Sequence, residues 1–144
     1  MPSARDYQIL AERDYKVCCK LEEDFPDEYA LSGVLYHIGQ AIEKQLKALA
    51  LLYGETPDFT HNITKLTDRC HRLGIELPEE LDDIADSLTL WESKSRYDPF
   101  ILFTNKKYEK AKDVFADLKE LLQNSLDSIS DEVEEEDASS KQTM

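Results

Sequence analysis

Residues 36–48, YHIGQAIEKQLKA, carry an imidazole, an amide and two ammonium groups at His37, Gln40, Lys44 and Lys47. The spacing i, i+3, i+7, i+10 aligns all four along one edge of an α-helix. Beside that edge lies an apolar arc of Leu31, Val34, Ile38, Ala41, Ile42, Leu49 and Leu52. A helix that only covers a core fills such an edge with interchangeable Glu and Lys. Here the mixture of amide and ammonium groups suits a polar ligand, with Lys44 and Lys47 able to meet a phosphate and His37 in support.

A second set of chemically capable residues is SRYDP, 95–99. Arg96 is planar and permanently charged, and can hold a phosphate with two parallel hydrogen bonds or neutralise a buried acid. Tyr97 can stack on a base or pack at a helix end. Between Lys94 and Lys112 six cations stand against two acids, a local balance of +4. Such a basic island on an acidic body can focus a small anion.

Two polar residues interrupt otherwise apolar arcs. Asp14 falls among Leu10, Ala11, Val17 and Cys18, and Gln45 among Ala41, Ile42 and Leu49. Burying an unpaired carboxylate costs several kcal/mol, more than the roughly 1.5–3 kcal/mol gained from one buried Leu. Asp14 must therefore be paired, protonated or wet, and its candidate partners are Arg96, Lys44 and the Gln45 amide.

Other chemistries lack residues. Cys70 and His71 are adjacent, so they diverge by about 100° on a helix, and no second Cys/His pair has ligand spacing. The four glycines form no phosphate-cradling loop, and no Ser/His/Asp arrangement is recognisable. The expectation is no metal, no cofactor and no catalytic residue. His61, just after Thr60, is expected to satisfy local backbone groups.

Helices must position these residues, and the apolar periodicity predicts five of them and no strands. The first covers 4–24, with Tyr7, Leu10, Ala11, Val17, Cys18 and Leu21 inward, and breaks at Phe25-Pro26. The second covers 27–53 and stops at Gly54. The third covers 61–73, capped by Thr60 and closed by Gly74. The fourth starts at Pro78 and buries Leu81, Ile84, Ala85, Leu88 and Trp91. A loop or broken helix over 93–105 leads to the fifth, 105–128. Short connections between long amphipathic helices make an all-α, up-and-down four- or five-helix bundle. It occupies 3–128, and 129–144 is an acidic, disordered tail.

The chain has 144 residues, 41% hydrophobic, enough for one domain with its own core. Its net charge is −14, of which −5 falls in the tail and −9 in the body, against non-specific coating of nucleic acid. No 18-residue apolar run or secretory leader is evident, and three cysteines make no disulfide framework. A cytoplasmic protein without membrane association is expected.

QAIEKQLKALALLYG (40–54), THNITKL (60–66) and SRYDP (95–99), in that order and spacing, resemble the HEPN domain. The resemblance covers about 3–128, with Asp14 at the position of the family's acidic residue in its first helix. It implies a helical bundle related to the substrate-binding half of some nucleotidyltransferases. Some members are ribonucleases, often toxins, using an arginine and a histidine four to six residues later, usually completed across a dimer. Others are partners of a minimal nucleotidyltransferase and are thought to bind nucleotide. Here Arg96 holds the arginine position, but Ile101, Leu102 and Phe103 stand where the histidine belongs. Without that imidazole no general base for a 2′-hydroxyl is in place.

The resulting expectation is a non-catalytic, homodimeric nucleotide- or phosphate-binding bundle, the partner of a small nucleotidyltransferase. Gln40, Lys44, Lys47, Arg96 and Tyr97 line its cleft, with Asp14 and His37 in support. The alternatives are a divergent ribonuclease using Arg96 on RNA, and a pure protein-interaction module.

Overall fold

A computed structural model describes residues 2–25, 27–55, 60–94 and 105–142, with side chains described no further than Ile129. It is an all-α, up-and-down bundle: α1 (Ala4–Glu22), α2 (Glu28–Leu52), α3 (Ile63–Arg72), α4 (Glu79–Lys94) and α5 (Asn105–Gln142). Among the described residues there is no strand, and no helix is long and apolar enough to cross a membrane.

Local chemistry sets the helix ends. Ser3 and Asp6 form a reciprocal capping box at the start of α1, with hydrogen bonds of 3.1 and 2.9 Å. Gly54 and Gly74 both take positive φ, +88° and +82°, as the expected stops require. Glu55 N–H donates back to the Ala50 carbonyl, and Ile75 N–H to that of Cys70. The cap of α3 differs from expectation. It is Asn62, whose Oδ1 accepts from the Lys65 amide at 3.0 Å, while Thr60 Oγ1 accepts from the Asn62 amide. Asn outranks Thr as an N-cap, so the helix starts two residues later than the Thr60 reading has it.

α2 is the axis of the bundle, touching all four other helices. Its apolar arc is buried as expected at Val34, Ile38, Ala41, Ile42 and Leu49, but burial extends beyond the arc to Leu35, Glu43, Leu46, Lys47, Ala48 and Ala50. The polar edge is therefore an inner boundary rather than a surface one. α4 buries the stripe read from its sequence, and α5 buries Tyr108, Ala111, Val114, Phe115, Leu118 and Leu122. Val17, expected inward on α1, is exposed instead. Tyr15 stacks on Phe115, ring centroids 4.1 Å apart, and ties α1 to α5.

Gln45 sits in the apolar arc because its Nε2 donates to the Phe115 carbonyl at 3.0 Å. α2 and α4 meet closely at Gly39, where a Cβ would lie 3.1 Å from Glu92 Cβ and 3.2 Å from the Leu88 carbonyl oxygen. The α5 backbone stays helical to Gln142, but its packing stops before the acidic run: Leu126 is the last described side chain against the core, and Ile129 is exposed.

Candidate functional site

Asp14 is the first of two polar nodes on α2. Its Oδ1 pairs with His37 Nδ1 at 2.8 Å, and its Oδ2 accepts from the Lys44 ammonium. Burial, the largest single influence, pushes its carboxyl up. The hydrogen bonds from His37 and Lys44, with their charges, outweigh it and hold Asp14 below the usual carboxylate range. Of the partners expected for this acid, Lys44 is present. The Gln45 amide is engaged elsewhere, and Arg96 and Tyr97 lie outside the described residues. His37 is the partner the sequence reading did not name.

The second node forms where α2, the residues before α3, and the end of α4 converge. The close approach at Gly39 brings Glu92 beside the next residue, Gln40, whose Nε2 donates to Glu92 Oε1. Glu43 is 2% exposed and pairs through Oε1 with His61 Nδ1 at 2.8 Å and with Lys47 Nζ at 3.8 Å. His61 Nδ1 also lies 3.9 Å from Glu92 Oε1. Thus His61 reaches two buried acids rather than local backbone.

Lys44 and Lys47, read as phosphate ligands, each face an internal carboxylate. Three lysines of the basic island are likewise spread into bonds between helices. Lys112 pairs with Glu22 at 3.1 Å, Lys110 with Asp83 at 3.9 Å, and Lys107 Nζ donates to Ser87 Oγ at 3.3 Å.

A cleft of about 340 Å³ opens over the second node, lined by Tyr36, Gln40, His61, Asn62, Thr89, Glu92 and Ser93. Of the expected ligand-binding residues that are described, Gln40 lines it and Lys44 and Lys47 do not. His61 and Glu92 enter from other elements, with Glu43 behind them. The set is split over three segments and comes together where α2, α4 and the residues before α3 meet.

Burial pushes the Glu92 carboxyl up to about 8, helped by the charge and hydrogen bonding of Glu43 and opposed by Lys47 and Lys44. Glu92 therefore holds a proton at neutral pH and presents both a donor and an acceptor. A raised acid means that the folded state binds more protons than the unfolded one. The stability this gives is full below the unfolded value near 4.5 and is lost as pH rises through about 8. Urea unfolding of metal-free protein from pH 5 to 9 should show a decline on the order of 2 kcal/mol that Glu92→Gln removes. Parallel pH profiles for the two proteins would contradict this assignment.

The family model of the HEPN domain matches residues 10–129. The chain belongs to the HEPN domain family, a helical, nucleotide-related module at family level. No curated protein and no solved structure matches it.

Proposed function

We propose that this HEPN protein holds a nucleotide in the cleft over Gln40, His61 and Glu92, without cleaving it. The convergence of these three side chains from three segments carries the reading. The cleft, about 340 Å³, has the size of a small-molecule site. Tyr36 supplies an aromatic wall, while Gln40, Asn62 and Ser93 supply hydrogen-bonding groups. A protonated Glu92 can donate and accept at once, which complements the edge of a base.

The phosphates need a cation that is not already neutralised, and Lys44 and Lys47 face Asp14 and Glu43. Arg96 is the cation assigned to them. It stands three residues after Ser93 in the chain, a covalent reach of about 11 Å at most, with Tyr97 beside it. The protein acts as a homodimer beside a small nucleotidyltransferase, as the family resemblance suggests.

Calorimetric titration with ATP, GTP, CTP and UTP tests this reading. Saturable binding of at least one nucleotide is expected, weakened about tenfold or more by Arg96→Ala through loss of charge-assisted hydrogen bonds. No heat from any of them would contradict it.

One observation favours a second reading. Asp14 fixes one nitrogen of His37, an arrangement that orients an imidazole as a base. A ribonuclease using Arg96 with His37 predicts RNA cleavage abolished by either Arg96→Ala or His37→Ala.

A further inference from the structure

The ligand atoms of Glu43, His61 and Glu92 lie within 4.8 Å of one another, although they come from α2, the segment before α3, and α4. Metal–ligand bonds near 2.0–2.2 Å set neighbouring ligand atoms about 3 Å apart, and the 2.8 and 3.9 Å separations from His61 Nδ1 bracket that spacing. A second observation is independent of the clustering. Glu92 is 5% exposed, and its Oε2 is buried with no donor to it among the described residues, the neighbouring Glu43 offering only carboxylate oxygens. Buried carboxylate oxygens are rarely left so, and an unmet one marks a missing cation or donor.

With its proton displaced by a cation, Glu92 adds a second negative charge to that of Glu43, and no ammonium here offsets both. Two buried carboxylates face Lys47, whose Nζ is 3.8 Å from Glu43 Oε1, beyond hydrogen-bond contact. Lys44, the next ammonium along the edge, is engaged by Asp14. The third group, His61, is 74% exposed, so its ring can turn to a metal without disturbing the core.

We propose that Glu43, His61 and Glu92 form a divalent-cation site open to the cleft. Two carboxylate oxygens and one imidazole nitrogen suit Zn²⁺, with Mn²⁺ as the harder alternative. Three protein ligands leave a coordination position facing the cleft, where a water or a ligand oxygen binds. The imidazole coordinates through Nδ1 in its neutral form, which places its remaining proton on Nε2.

The test uses the metal alone, so it is independent of nucleotide binding. Chelator-stripped protein carrying Cys19→Ser, which removes the exposed thiol, is titrated with Zn²⁺ by calorimetry. One saturable equivalent per chain is expected, with affinity reduced about tenfold or more in His61→Ala and in Glu92→Gln. His71→Ala, which removes an exposed histidine paired with Asp82, should bind as the parent does. Loading with Co²⁺ should give visible bands of an oxygen–nitrogen site without thiolate charge transfer. Circular dichroism establishes that each variant is folded. No saturable binding of Zn²⁺ or Mn²⁺, or undiminished binding in folded His61→Ala, would overturn the proposal.

Discussion

Asp14→Ala should destabilise the bundle by about 3 kcal/mol at pH 7. Asp14 is 9% exposed and joins α1 to α2 through His37 and Lys44. Its removal leaves the Lys44 ammonium, only 21% exposed, without its counterion, and His37 without its orienting acceptor. A stranded charge costs more than the net value of the pair it came from, which is why truncating one partner has so large an effect.

The pH dependence follows from the depressed carboxyl. Its stability contribution is present above the unfolded value near 3.8 and is lost as pH falls through the lower folded value. Urea unfolding should therefore show a wide gap between wild type and Asp14→Ala at pH 7 that narrows towards pH 3. Equal stability at pH 7 would mean that the node does not hold α1 in place.

Lys47→Met should have a comparable effect, about 3 kcal/mol at pH 8. Lys47 is 8% exposed and is the ammonium nearest Glu43, with Glu92 as its second acidic neighbour. Methionine fills similar volume but leaves the two acids without that charge. The cost should shrink towards pH 5.5, where Glu92 is protonated and carries no charge. A double-mutant cycle with Glu43→Gln separates charge from packing, because neutralising Glu43 should recover most of the loss. If Lys47→Met, Glu43→Gln is no more stable than Lys47→Met alone, the effect is one of shape.

The two polar intruders were the readable part of this interior. Asp14 and Gln45 sit where period-3.6 patterning demands apolar groups, so pairing was required: both Asp14 oxygens are met from α2 and the Gln45 Nε2 donates to α5, while the buried Gln45 Oε1 has no partner among the described residues. The helices themselves were legible for the same reason, together with Gly54 and Gly74 at their stops. What could not be read was the position of α2 at the centre. A helical wheel assumes one buried side, whereas α2 is enclosed by four neighbours, so its apparent surface edge became an interior one.

Glu92 was legible: at 100° per residue it falls between Leu81 and Ala85 on the apolar stripe of α4, a third polar intruder. Glu43 looks like an ordinary surface acid on the wheel of α2, and its burial follows from which helices cross, a tertiary fact. A signal was nevertheless present: Gly39 beside Gln40 permits a close helix approach, and Lys47 is embedded in the run LKALALL. His61 departs from expectation: a residue preceding a helix is usually occupied by the nearby backbone, yet here it reaches across to Glu43 on α2. Arg96 and Tyr97, the other wall of the expected cleft, lie outside the described residues.

In the proposed reading the cleft over α2 holds the nucleotide. Amide chemical shifts of isotope-labelled protein, followed through a titration with the nucleotide giving the most calorimetric heat, test it directly. Saturable shifts are expected at Tyr36, Gln40, Asn62, Thr89 and Ser93, with little change around Leu21, Asp24 and Ala30, where a separate surface hollow lies. Shifts confined to that hollow, or none anywhere at saturating nucleotide, would contradict it.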